Sequence, residues 1–194
     1  MHPYATDSKE RVSVVVALSL LSVGITYGLH ILLAKTGIQW PWWVEAPSVI
    51  SVFGGLYMLF DKRLWRLKWL QRIGVVKVPD LNGRWSVQGH SSTSNEDFVG
   101  EIHIWQTWTH IRITMETERS RSYSLTASLL LEQPEGVTLS YEYRNEPKPN
   151  ALCTMHAHRG TAVLRLRGEE FLEGEYYSGR DRLNCGELRL RRIR

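Results

Sequence analysis

Tyr123, Tyr143, Asn145, His156, Tyr176 and Arg180 bring together phenol rings, an amide, an imidazole and a guanidinium. That mixture suits a flat base stacked on a ring, with a phosphate held by arginine. Other chemistries find less support. His156-x-His158 has the spacing of two ligands on a strand face, but no carboxylate or cysteine accompanies it at a recognisable metal-ligand spacing. A His158–Gly160 turn is the other role for this pair. No nucleophile, base and orienting residue fall into a catalytic arrangement. No phosphate-cradling or dinucleotide-fold glycine motif occurs. The residues therefore predict a binding protein without catalytic machinery, metal or cofactor.

The elements that must hold these residues are strands. From about Leu81 onward, apolar and polar residues alternate with period two. Phe98, Ile102 and Ile104 share one face, as do Ile111, Ile113 and Met115. So do Tyr123, Leu125, Ala127, Leu129 and Leu131, opposite Ser122, Ser124, Thr126 and Ser128. Val137, Leu139, Tyr141 and Tyr143 form another such set. Leu164 with Leu166, Leu172 with Tyr176, and Leu188 with Leu190 follow, and Trp85 with Val87 opens the series. Eight strands joined by short turns predict a compact up-and-down β-barrel whose interior holds side chains or one small ligand. A sandwich is the other solution to one apolar face per strand.

Up-and-down order sorts strand ends between two rims. The rim near the start of the first strand collects Gln106, Trp108, His110, Arg167 and Arg192. The far rim collects the six residues above together with His90, His158 and Asn184. The longest loops, 89–97 and 146–159, also fall there. Tyr141 and Tyr143 fit either a core or a ligand platform. Trp85 fits a plug at the closed end.

Residues 1–77 have a different character. Val12–Leu33 is a run of 22 residues without a charge. That is long enough to cross a bilayer as a helix. A second apolar stretch spans about residues 40–60, with Trp40, Trp42 and Trp43 as an interfacial anchor at its start. The bases of residues 62–73 fit a straight cytoplasmic continuation of the second helix or an interfacial segment. Gly24 and Gly28 form a Gly-x-x-x-Gly pair, and Gly54 adds a second small patch. Such faces let helices approach closely, within one chain or between copies.

Charge follows the same division. Residues 1–80 carry nine Lys/Arg against five Asp/Glu, whereas residues 81–194 carry fifteen of each. A neutral second domain lacks the footprint of a protein that binds nucleic-acid polymers. Lys62, Arg63, Arg66, Lys68 and Arg72 follow the second helix, while Lys35 alone lies between the helices. This bias predicts both termini and the barrel, residues 78–194, on the cytoplasmic side. Cys153 and Cys185 would then be free thiols. A periplasmic domain with one disulfide is the alternative.

The order of landmarks resembles a known family. Two amino-terminal helices precede Leu81-x-Gly83-x-Trp85, then Ile104-Trp105-Gln106 and a serine-rich strand. Tyr141-x-Tyr143-x-Asn145, Met155-His156-x-His158-x-Gly160, Leu172-x-Gly174-x-Tyr176 and Gly186-x-Leu188 complete the set. The chain resembles the two-transmembrane β-barrel effectors of bacterial cyclic-oligonucleotide-based antiphage signalling (CBASS). The Leu-x-Gly-x-Trp opening also resembles lipocalin-like barrels, where the Trp packs near an arginine of the last strand. The CBASS resemblance implies that the barrel binds a cyclic di- or trinucleotide. It implies that occupied copies form a homo-oligomer in the lipid bilayer of the inner membrane and disrupt it. A membrane-tethered lipocalin-like carrier of an apolar ligand is the competing expectation.

Overall fold

The computed structural model describes residues 1–35, 42–92, 95–153, 155–179 and 184–193. The chain opens with two short strands, β1 (His2–Pro3) and β2 (Ala5–Thr6). Two long helices follow, α1 (Glu10–Ala34) and α2 (Trp42–Lys62), then a 3₁₀ turn (Leu64–Arg66) and α3 (Lys68–Arg72). The alternating region then forms eight long strands. These are β3 (Gly83–Ser91), β4 (Glu96–Gln106), β5 (His110–Thr117), β6 (Ser120–Leu130), β7 (Thr138–Pro147), β8 (His158–Arg167), β9 (Phe171–Ser178) and β10 (Cys185–Ile193). Two compact units result, Lys9–Lys77 on one hand and Met1–Ser8 with Val78–Arg194 on the other.

Each long strand pairs antiparallel with its sequence neighbours, and β10 returns to β3. Direct β5–β6 pairing closes the barrel, so the up-and-down order read from the alternation is the one formed. Ile102, Ile104, Ile111, Leu129, Leu139 and Leu164 are buried and fill the interior below the far rim. Trp85 plugs the near end. It is fully buried, its Nε1 donates to the Leu81 carbonyl at 3.1 Å, and the Arg192 guanidinium lies 4.7 Å over its ring. Arg192 also donates to the Asp80 carbonyl. Gly83 makes the approach to this plug possible, because its φ of 124° lies where a Cβ is strained.

The seam between β5 and β6 is incomplete. Direct pairing covers only Thr114–Tyr123, Met115–Ser122 and Glu116–Arg121. Below it the two strands part, and the amino terminus fills the gap. β1 pairs antiparallel with β5 (His2↔Ile111), and β2 pairs parallel with β6 (Ala5↔Ser128). Tyr4 is buried, and its hydroxyl donates to the Trp108 carbonyl at 2.7 Å. The Asp7 carboxylate accepts from the amides of Leu131, at 2.6 Å, and Glu132, at 3.2 Å. Those donors, Leu131 foremost, hold its pKa below the ordinary value. The division expected after residue 77 therefore needs correction at the amino end. Residues 1–8 complete the barrel, because the parted edges of β5 and β6 would otherwise carry unpaired backbone groups.

In the helical unit α1 packs with α2, and Val14, Leu18 and Ser22 form a buried face of α1 at four-residue spacing. Val12, Leu20 and Leu32 lie exposed. Among the described residues, α1 is long and apolar enough to cross a membrane. The Glu10 carboxylate accepts from the Lys77 amide at 2.5 Å, joining the two ends of this unit. Residues 62–73 do not continue α2 as a straight rod. The chain leaves helical geometry at Arg63 and again at Leu67, which is extended (φ −65°, ψ 116°). A Cβ placed at Gly24, Gly28 or Gly54 would meet no described atom within 4 Å. Gly24 and Gly28 are exposed and Gly54 is half-buried among the described residues. Trp40 of the expected anchor lies outside the described residues.

Candidate functional site

A cavity of about 390 Å³ occupies the far half of the barrel and opens at the far rim. β7 supplies Tyr141, Tyr143 and Asn145, and β9 supplies Tyr176 and Ser178. β4 contributes Phe98, and Asn184 precedes β10. The three tyrosines are mostly buried, with 5%, 8% and 7% of their surface exposed. They are therefore both core and cavity wall, which joins the two roles that the alternation left open. Burial, and secondarily the neighbouring Tyr143, push the Tyr141 phenol pKa well above its usual value, so it stays a neutral donor.

β6 contributes what the alternation placed on the wrong face. A bulge between Ser124 and Thr126 shifts the register against β7. One extra residue exchanges the inward and outward faces of a strand. Before the bulge Ser120, Ser122 and Ser124 point inward and are buried; beyond it Leu129 does. Tyr123 is consequently turned outward, where its hydroxyl donates to Glu146 at 3.3 Å. His156 is exposed in the loop before β8 and does not line the cavity, whereas His158 does. His158 Nδ1 donates to the His156 carbonyl at 2.9 Å, so the His-x-His pair fixes the loop. Among the described residues no three His, Cys, Asp or Glu side chains converge as a metal site would require. Cys153 and Cys185 are free thiols.

Of the six residues expected at the mouth, Tyr143, Asn145 and Tyr176 come together, Tyr123 and His156 lie apart, and Arg180 falls outside the described residues. The missed residues include Ser120, Ser122 and Arg119, all of which line the cavity. Two periodic patterns compete along β6, one apolar and one of serines, and only the bulge decides between them. Hydrogen bonds fix part of the wall. Asn145 Nδ2 donates to Ser120 Oγ at 3.0 Å, and Asn184 Nδ2 to the Tyr176 hydroxyl at 3.3 Å. Ser91 Oγ donates to Asn184 Oδ1 at 3.1 Å. Among the described residues Asn145 Oδ1 and Ser178 Oγ are buried without a hydrogen-bond partner. The rim also carries Glu96, Asp97 and Glu118, so cation and carboxylate groups alternate with neutral hydroxyls and amides.

The fold is a small closed barrel with one plugged end and one polar, aromatic cup, carried on the same chain as an apolar helical module. Residues 76–192 match the family model described as Cap15, cyclic dinucleotide receptor domain, and residues 12–66 match the one described as Cap15, TM helices. A CD-NTase-associated protein 15 from Yersinia aleksiciae is 35% identical over 178 residues, covering 85% of this chain and 84% of that protein. The chain belongs to the Cap15 family, which bears out the resemblance carried by its ordered landmarks. Among solved structures, a redesigned β-barrel aligns with a TM-score of 0.42 at 11% identity, over 59% of this chain and 92% of that one. A de novo fluorescence-activating β-barrel aligns at 0.36 and 16% identity, over 58% and 94%.

Proposed function

We propose that the cup binds a cyclic dinucleotide made in response to infection, and that occupied copies associate in the inner membrane and disrupt it. The observation that carries this reading is the polar, aromatic cup lying inside the segment matched to the cyclic dinucleotide receptor domain. Its volume falls in the range of small-molecule sites. Tyr143, Tyr176 and Phe98 offer ring faces or edges to a base, while the hydroxyls and amides suit its polar edge. Arg119 and Arg180 are the guanidinium groups for phosphate. The carrier alternative would be better served by an apolar interior than by this lining of serines and amides.

The barrel faces the cytoplasm in this reading, the side that the bases after α2 favour. Residues 1–8 and 78–194 share one barrel, so the intervening chain must cross the membrane an even number of times. A two-pass hairpin of α1 and α2 satisfies that condition. Assembly of several copies supplies the disruption, because two helices from one copy cannot enclose a pore. The exposed glycines Gly24 and Gly28, with Gly54 on α2, support close approach between copies.

The test is calorimetric titration of the full-length protein in detergent with cyclic di-AMP, cyclic di-GMP, cyclic di-UMP, cyclic GMP–AMP and cyclic trinucleotides. Saturable binding of at least one cyclic dinucleotide, weakened by Tyr143→Ala, is expected. An absence of saturable binding across the panel would overturn the reading.

A further inference from the structure

An eight-stranded barrel is just wide enough for its own side chains to fill. Near the plug they do fill it. At the far rim large aromatic residues point inward and a cavity nevertheless remains, so something must draw the rings off the barrel axis. The strand register supplies the reason. Phe98 stands directly opposite Gly89, Tyr143 opposite Gly160, and Tyr176 opposite Gly186. In each pair the ring reaches across to the neighbouring strand, into the space that the glycine's missing Cβ would occupy. A Cβ at Gly89 would lie 2.7 Å from both Cε atoms of Phe98. One at Gly160 would lie 2.5 Å from Tyr143 Cζ, and one at Gly186 would lie 2.8 Å from Tyr176 Cε1. None of these three glycines has a positive φ, so backbone conformation does not explain them. Space does.

We infer that Gly89, Gly160 and Gly186 are positioning residues that hold three aromatic rings flat against the barrel wall, and so create the cup for a flat heteroaromatic ligand. This rests on the proposed reading for the identity of the ligand, but not for the position of the rings. The same arrangement recurs at three separate strand pairs around the rim, β3–β4, β7–β8 and β9–β10. Phe98 and Tyr176 also meet edge to face, with centroids 6.1 Å apart and planes at 80°, so displacing one ring disturbs the next.

Gly89 gives the cleanest test. The three atoms nearest its missing Cβ all belong to the Phe98 ring, whereas Gly160 and Gly186 also face a backbone carbonyl, of Tyr177 and His90 respectively. Gly89→Ala, Phe98→Leu and the double variant are made in the full-length protein. Each is titrated with the cyclic dinucleotide of the panel above that binds the wild type most tightly, and Gly89→Ala is crystallised without ligand. Gly89→Ala should displace the Phe98 ring and lower affinity about tenfold or more, the loss of one stacking surface. In the Phe98→Leu background it should cost nothing further, because the ring tip is gone. A Phe98 ring still in place in the Gly89→Ala crystals would overturn the inference. Losses that multiply in the double variant would overturn it too. A displaced ring in a protein whose wild type binds no cyclic dinucleotide would sink the ligand reading and leave the positioning role standing.

Discussion

The up-and-down order assigns Arg180 and Arg167 to opposite rims. Arg167 closes β8 at the near rim and pairs with Glu173 at 2.7 Å, both side chains about half exposed (52% and 50%). Exposed pairs of this kind contribute at most about 1 kcal/mol. In the sequence Arg180 comes two residues after Ser178, the end of β9, and the proposed reading gives it the phosphate. Losing a charge-assisted phosphate contact costs about 1.5–3 kcal/mol, roughly 10- to 150-fold in affinity. Arg180→Ala should therefore weaken cyclic dinucleotide binding by that factor, and Arg167→Ala should leave it unchanged. Normal binding by Arg180→Ala alongside a loss in Arg167→Ala would invert the assignment of the rims. The plug belongs to the same scale. Trp85 is legible from Leu81-x-Gly83-x-Trp85 because a small barrel must fill its closed end. The inward serines are not legible, since alternation reports that two faces exist but not where a bulge exchanges them.

The strand elements follow from their own periodicity, but β1 and β2 do not. Two residues are too few to show a period. Their pairing is set by the edges that β5 and β6 leave open, a property of the closed barrel and not of the segment itself. Asp7 anchors this clasp, and the sign of its pH dependence follows from its depressed pKa. The contribution is complete above the unfolded value near 3.8 and is lost as pH falls through the lower folded value. Asp7→Ala should lower the Tm by a few degrees at pH 7 by calorimetry, with the difference shrinking in strong acid. Deleting residues 2–8 should lower it further and expose the Trp108 region to hydrogen exchange. Equal Tm values for the wild type and the deletion would remove the clasp from the stability of the barrel.

At the scale of the whole molecule the helical module is an insertion. The chain leaves the barrel after Ser8 and rejoins it at Val78. A periplasmic reporter fused after Arg194 should stay silent, and strong activity there would place the cup on the wrong side for a cytosolic messenger. Gly24→Leu with Gly28→Leu should preserve insertion and ligand affinity while lowering liposome leakage, because Leu blocks close helix approach. Full leakage from that double variant would remove the glycine face from the mechanism. Leakage from a ligand-bound protein shown to be monomeric would sink assembly altogether.

The clasp also orders the birth of the protein. Asp7 and its partner Leu131 are 124 residues apart in the chain. Residues 2–8 can be seated only after β5 and β6 have formed. In the proposed two-pass arrangement they must wait on the side of synthesis until then. A chain whose first helix is translocated with its amino terminus leading has carried its own closing strands across the membrane. Its barrel is left with the β5–β6 seam open. In that arrangement only a correctly threaded hairpin returns residues 1–8 to the β5–β6 seam and gives a sealed barrel.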